Sequence, residues 1–536
     1  MFQFYDDELH NLILVSDKSL REIIAYTSKY DFHPPLQYIL NKLSLQLFGL
    51  NEFWLSLPSI IFILLSIIIC SRFLFKATSS MSFSVLTGVL IAFNPLVLLW
   101  GSSLRWYPLW TFLIILSTFL LIHLWNSQNR NFLVISTLII AISLSLYTNY
   151  QTLMFLVAGL LTVLTLDLGK KNFINSKKTI YIFLSSIILF LPYLSGFIFH
   201  LQNFFIRKEI FQDFHSVSPL TSAAYFLFSI LFGNSIYPWQ LSFIIIFVVF
   251  AIASTTSMIL IVMINKKKLQ AVDLIKPLIP QNNNYSKLLR TLNIFTLYLF
   301  IVHILQVIVT GTITMRGMIY LPMLLITAFS LSVFHLYQTH SLKSELKSIS
   351  YSLSIAISSL AVIWIISCYN IFTRQHLHKS GLMIPVDQII KTIVQFQNLE
   401  KEKPLIVSTD PVITYYLLKN DFSKILSPYT SDLVRLFPKK RLSSIKEDDN
   451  LIFIKSSPGA LLPLKNELDN FFRYLMNSSH LTSKPIKFAY DPDYFMKKKF
   501  FSSAEIEEWK YVFYIMKPLN KWDINYLESI NGFRVY

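Results

Sequence analysis

The run FIIIFVVFAIASTTSMILIVMI, residues 243–264, contains no charged side chain. About 20 apolar residues suffice to cross the hydrocarbon core of a bilayer as a helix. LPSIIFILLSIIICS, residues 57–71, has the same character. In hydrocarbon every backbone N–H and C=O must be satisfied within the protein, so uninterrupted runs of this kind hold a chain to a bundle of membrane helices. Composition agrees: charged residues are 14% of the 536, against about 25% in soluble proteins. The apolar runs place about ten spans, near 53–73, 82–100, 106–125, 132–149, 152–168, 179–199, 240–264, 291–311, 317–337 and 349–370. One more stretch, TSAAYFLFSILFGNSIYPW at 221–239, is interrupted by Gly233 and Pro238 and reads as an interfacial or re-entrant helix with the makings of a lid.

The net charge of +17 then reports topology rather than nucleic-acid binding. With residues 1–52 outside, the inside loops hold about fifteen Lys and Arg, and the short outside loops hold Arg105, Arg207, Lys208 and Arg316. Basic residues collect on the cytoplasmic side of a membrane protein. This orientation puts the N-terminal acids and residues 372–536 on the extracytoplasmic face of the plasma (inner) membrane. It also implies a first helix upstream of Met1, or an N-terminal segment that is pulled across.

The expected organisation is a first extracytoplasmic loop (1–52), a transmembrane domain (53–371) and an extracytoplasmic α/β domain (372–536). In the last of these, KPLIVSTDPVITYYLLKN reads as strand, turn at Asp410-Pro411, then helix. NLIFIKSSPGALLPLKNELDNFFRYL repeats that order, and EWKYVFYIMKP reads as a further strand. Both cysteines, Cys70 and Cys368, lie in or beside apolar spans, so this domain has no disulfide framework and no cysteine metal site.

The first loop is not a plain linker. SLREIIAYTSK has helical spacing, with Ser16 or Asp17 as its N-cap. The HPP that follows halts it. LQYILNKLSLQLFG carries apolar residues at helical spacing and ends at Gly49. The two are short amphipathic helices on the membrane surface, with Asp6, Asp7 and Glu8 at one end and Asp31-x-His33 at the hinge. A carboxylate there can serve as a general base if burial or a neighbouring acid raises its proton affinity. Asp31 and His33 either fix the hinge by hydrogen bonding or contribute to holding a divalent cation; two ligands alone do not make a metal site.

The order of these features resembles the C-fold (GT-C) membrane glycosyltransferases, in particular the protein O-mannosyltransferase and aminoarabinose transferase superfamily. The matching text is DDE, DFHPPLQYIL, LFG and LSLPS in the first loop. NPLVLLWGSSLRWYPLWTFLIIL is similar to the family's second outside loop, with its Arg-x-Tyr entering a helix. LYTNYQTLMFLVAG and MRGMIYLPMLLI are similar to a Tyr-x-His-Tyr segment and a late Arg-(x)-Tyr-x-x-Pro span. The resemblance covers residues 1–170 well and 290–340 loosely. Where the family often has Glu, His and Arg, this chain has Ser103, Asn149 and Ser56.

The resemblance implies transfer of a sugar from a polyprenyl-phosphate donor to an envelope glycan, lipid or protein, by inverting displacement. It implies Asp7 as base, with Asp6 and Glu8 beside it, and Arg105, Arg316 and Tyr107 at the donor phosphate. For Arg105 and Arg316 the plain alternative is snorkelling to lipid phosphates; for Trp106, Tyr107 and Trp110 it is the interfacial aromatic belt. His303 and Gln306, on one face of a span, are packing contacts or functional groups. The rival functions are a flippase or transporter of lipid-linked sugars, an O-antigen polymerase or ligase, and a catalytically impaired relative. A transporter would be expected to show internal repeats or charges deep in paired helices, and the spans have neither.

Overall fold

The computed structural model describes residues 6–31, 33–127, 131–169, 173–202, 219–233, 235–236, 243–256, 283–310, 315–340, 346–373, 386–399, 403–437, 439–455, 465–482, 485–488 and 511–532. They fall into two compact units, Leu20–Leu40 with Trp54–Thr373, and Met1–Ser19 with Asn41–Phe53 and Arg374–Tyr536. The chain is a mostly helical integral membrane protein with a small sheet domain at its C-terminal end.

Among the described residues of the first unit, five helices are long and apolar enough to cross a membrane: α4 (Glu52–Thr78, whose first two residues belong to the other unit), α7 (Tyr107–Asn126), α10 (Ile174–Gln202), α13 (Asn283–Thr310, apolar over Lys287–Val309) and α15 (Leu346–Thr373, apolar over Ser354–Thr373). Five shorter apolar helices stand at the other expected spans: α5 (Met81–Ala92), α8 (Phe132–Leu146), α9 (Thr152–Leu168), α12 (Phe243–Thr256) and α14 (Tyr320–His340, apolar over Tyr320–Phe334). The span expected at 82–100 is broken. Asn94 Oδ1 accepts from the N–H groups of Leu96 and Val97 at 3.1 and 3.3 Å, and Pro95 opens a separate helix, α6 (Pro95–Trp100). An Asn N-cap followed by Pro at the first helical position starts a new helix rather than continuing the old one.

The 221–239 stretch forms α11 (Pro219–Phe232), too short to span. The described part of the segment does not look like a free lid. Gly233 closes the helix at φ +82°, and a Cβ there would come within 2.5 Å of Pro95 Cβ. Trp364 Nε1 donates to Leu231 O at 2.8 Å, Ser235 Oγ to Ser367 O at 2.9 Å, and Asn370 Nδ2 to Ser235 O at 2.6 Å. Buried hydrogen bonds therefore tie the C-terminal end of α11 to α15, and Gly233 is a helix terminator rather than a hinge.

The expected first-loop helices form as α2 (Leu20–Thr27) and α3 (Leu36–Phe48), and Gly49 ends α3 at φ +64°. An additional helix, α1 (Asp6–Ser16), precedes them. Ser16 is its last residue and its hydroxyl donates back to Ile13 O at 2.8 Å, so neither Ser16 nor Asp17 caps α2. Leu9, Leu12 and Val15 are fully buried, one face of α1 at helical spacing.

In the second unit, α16 is Val386–Leu399, and α1 packs on α17 (Pro411–Lys419) and on the turn Val434–Leu436. Arg435 pairs with Asp17 at 2.9 Å, and Lys42 Nζ donates to Ser16 O at 2.9 Å. The expected strand–turn–helix order appears at β1, and β3 and a later helix stand where its repeat was expected. Strand β1 (Leu405–Ser408) leads into α17, whose N-cap Asp410 accepts from the N–H groups of Val412 and Ile413 at 2.8 and 3.0 Å. β2 is Ile425–Leu426, and β3 is Leu451–Lys455. Helix α18 (Lys465–Asn477) follows β3 in the chain, then β4 (Ser479–Leu481), β5 (Ile486–Phe488) and β6 (Tyr511–Pro518). The sheet order is β2-β1-β3-β6-β4, with β5 also on β6; β1 is parallel to β2 and β3, and β6 is antiparallel to its neighbours. Val407, Phe453, Phe471, Met516 and Trp522 centre the core.

Candidate functional site

The Asp31 hinge is a closed hydrogen-bonded unit. His33 N–H donates to Asp31 Oδ1 at 2.9 Å, His33 Nδ1 lies 3.0 Å from the same oxygen, and Tyr38 Oη donates to Oδ2 at 2.7 Å. Burial alone would raise the Asp31 pKa; the donors from His33 and Tyr38 outweigh it and hold the carboxyl well below the usual range. An ionised carboxylate only accepts, so the proton on His33 sits on Nδ1. Both Asp31 oxygens and Nδ1 are thus engaged by the loop itself. Among the described residues no three His, Cys, Asp or Glu side chains group as a metal site.

This hinge supports the second motif. The His33 ring lies 5.9 Å from the Trp106 ring, and Gln37 Nε2 donates to Leu104 O at 3.2 Å. Ser59 Oγ donates to Ser103 O at 2.6 Å, and Ser103 Oγ accepts the Arg105 N–H at 3.2 Å. Side chains from the first loop and from α4 therefore grip the backbone on the approach to Arg105, which is 7% exposed. Tyr107 is buried, edge-on to Trp106 at 4.6 Å and to Trp100 at 5.9 Å.

The third and fourth motifs reach the same place. Leu36 N donates to Tyr147 O at 3.1 Å, and Trp110 Nε1 donates to Thr152 Oγ1 at 2.8 Å. Trp110 also stands edge-on to Tyr320 at 4.9 Å. Tyr320 Oη is bonded to His303 Nε2, and His303 Nδ1 lies 3.1 Å from Gln306 Oε1, so the intramembrane polar pair joins the aromatic stack. The tightest approach is at Gly317: a Cβ there would fall 2.2 and 2.7 Å from Trp106 ring carbons. Only a residue without a side chain lets the indole lie against this backbone. The chain neighbours of these two residues are Arg105 and Arg316, so the contact brings the Trp106 ring from the loop before α7 against the 3₁₀ turn Met315–Met318 that carries Arg316.

Gly317→Ala is accordingly expected to force Trp106 out of its stack at a cost of about 1–3 kcal/mol. The readout is the thermal midpoint of the full-length protein in detergent. Asp31→Asn has a pH signature. Because folding lowers the Asp31 pKa, its contribution to stability is present above the unfolded value of about 3.9 and is lost as pH falls toward the folded value. The gap in thermal midpoint between the natural protein and Asp31→Asn should be widest near neutrality and narrow below about pH 4.

Asp6 and Asp7 occupy the first turn of α1, and Glu8 follows, 5% exposed; all three belong to the other unit, with the C-terminal domain. Arg207 and Lys208 lie outside the described residues. The sequence reading missed one pairing, between Tyr150 of the third motif and His200. Tyr150 Oη lies 2.6 Å from His200 Nδ1, and burial pushes the Tyr150 phenol far above its ordinary pKa, so it stays protonated. Their separation of 50 positions leaves no local pattern, although a His at the expected outer end of a span was a visible signal.

No protein-family model matches the sequence, and no curated protein matches it significantly. Among solved structures the chain is similar to ArnT from Cupriavidus metallidurans in the apo state, at 11% identity and a TM-score of 0.47, over 100% of this chain and 96% of that one. It is also similar to the same protein bound to undecaprenyl phosphate, at 11% identity and a TM-score of 0.44, over 96% and 94%.

Proposed function

We propose that this protein transfers a sugar from a polyprenyl-phosphate donor to an envelope acceptor at the extracytoplasmic face of the membrane. The observation that carries the reading is the packing of Trp106 between His33 and Gly317. It joins three separate stretches singled out in the sequence, two of which carry Arg105 and Arg316. In this reading the acceptor hydroxyl oxygen attacks the anomeric carbon and Asp7 takes its proton, with Asp6 and Glu8 tuning it. The bond from the anomeric carbon to the phosphate oxygen breaks, and the electron pair leaves on the lipid phosphate. Arg105 and Arg316 stabilise that charge as it develops. Tyr107, buried between two tryptophans, positions the arginine loop.

A second reading has a specific observation behind it. Ser103 and Asn149 stand where the family often has Glu and His, and both are spent locally: Ser103 Oγ accepts the Arg105 N–H, and Asn149 Oδ1 accepts the Gln151 N–H at 2.9 Å. A relative that binds the donor without transferring the sugar fits those roles. Incubating the purified full-length protein with labelled polyprenyl-phosphate sugars and envelope acceptors separates the two: a transferase yields labelled acceptor, and a binding protein retains intact donor.

A further inference from the structure

A cavity of about 350 Å³ opens at the other end of the membrane bundle, lined by Trp125, Leu166, Gly169, Asn175, Lys287, Arg290 and Thr291. Helix α7 locates it. Tyr107, at the N-terminal end of α7, belongs to the candidate site, and Trp125 lies near the C-terminal end. Eighteen positions at 1.5 Å each put about 27 Å between them, close to one hydrocarbon thickness. The cavity therefore sits at headgroup depth in the leaflet remote from the candidate site.

Its walls are fixed. Trp125 Nε1 donates to Thr179 Oγ1 at 2.9 Å. Asp167, 1% exposed, accepts from Ser176 N–H at 2.7 Å, Ser176 Oγ at 2.8 Å and Asn175 Nδ2 at 3.2 Å, which pins the start of α10 to the end of α9. Among the described residues the lining has two cations, a hydroxyl and an amide, no carboxylate, and an apolar wall of indole and leucine; Lys287 Nζ also donates to Asn126 O at 3.4 Å. Two cations facing a phosphate at the bilayer surface, beside an apolar wall suited to glycerol and acyl carbons, match an anionic lipid.

We infer that this cavity binds the phosphate headgroup of an anionic phospholipid, at a site separate from the one proposed for the sugar donor. The test is native mass spectrometry of the full-length protein released from detergent with phosphatidylglycerol, phosphatidylcholine or inorganic phosphate as the probe. Phosphatidylglycerol should be retained in preference to phosphatidylcholine. Arg290→Gln, at an exposed position, should lower that retention about fivefold, and Lys287→Gln with it about 25-fold. Arg290→Lys should restore most of it. Arg72→Gln, on α4 away from the lining, should leave it unchanged. An equal loss in Arg72→Gln would mean diffuse surface attraction and overturn the site. Binding of inorganic phosphate that displaces the lipid would overturn the lipid assignment, and unchanged retention in the Arg290 and Lys287 variants would overturn both.

Discussion

Asp7→Asn is expected to lower donor-dependent sugar transfer by about 10²–10⁴-fold, the usual contribution of a positioned general base. Asparagine keeps the size and polarity of the side chain but cannot accept the acceptor's proton. Retention of the lipid-linked donor should be unchanged, because the donor phosphate is assigned to the arginines. The fold should also tolerate the change. Helix α1 is anchored by Leu9, Leu12 and Val15, all fully buried, and by its packing on α17. The thermal midpoint is therefore the control. Asp17→Asn is the matching negative: it removes a solvent-exposed pair with Arg435, of the kind worth about 0–1 kcal/mol, and should leave turnover intact. Transfer that survives Asp7→Asn but collapses in Asp6→Asn would move the base by one residue.

Arg105→Gln is expected to lower transfer by about 10²–10³-fold, as removal of a preorganised group that meets developing charge does, and to weaken donor retention as well. The side chain is buried, and the backbone around it is held by Gln37, Ser59 and Ser103. The guanidinium therefore starts from a fixed frame, which is what electrostatic stabilisation requires. Arg105→Lys distinguishes this from simple anchoring. A snorkelling cation is replaceable by lysine, since only charge and reach matter. A planar fork on a phosphate is not, and lysine should recover little of the transfer.

Local signals in the sequence were the readable ones. Gly49 stopped α3, Asp410-Pro411 started α17, and the apolar runs gave the spans, because capping geometry and hydrocarbon burial act over a few residues. The break at Asn94-Pro95 was equally local and was lost under the hydropathy of its surroundings. Helix α1 was hidden because the three acids at its start drew the reading toward their chemistry, although Leu9, Leu12 and Val15 already lay on one face. Long-range pairings left the faintest trace. Nothing local in MRGM marks Gly317 as the seat of the Trp106 indole, and Tyr150 with His200 is set by the approach of distant segments rather than by any spacing.

The central claim is that this chain breaks the bond between a sugar and a polyprenyl phosphate. It is tested most directly by measuring polyprenyl phosphate released by the purified full-length protein, with and without acceptor, in the natural sequence and in Asp7→Asn. The account predicts release that requires both donor and acceptor and that falls by at least about 100-fold in the variant. Intact donor after incubation of the natural protein with every acceptor preparation, or undiminished release by Asp7→Asn, would contradict it.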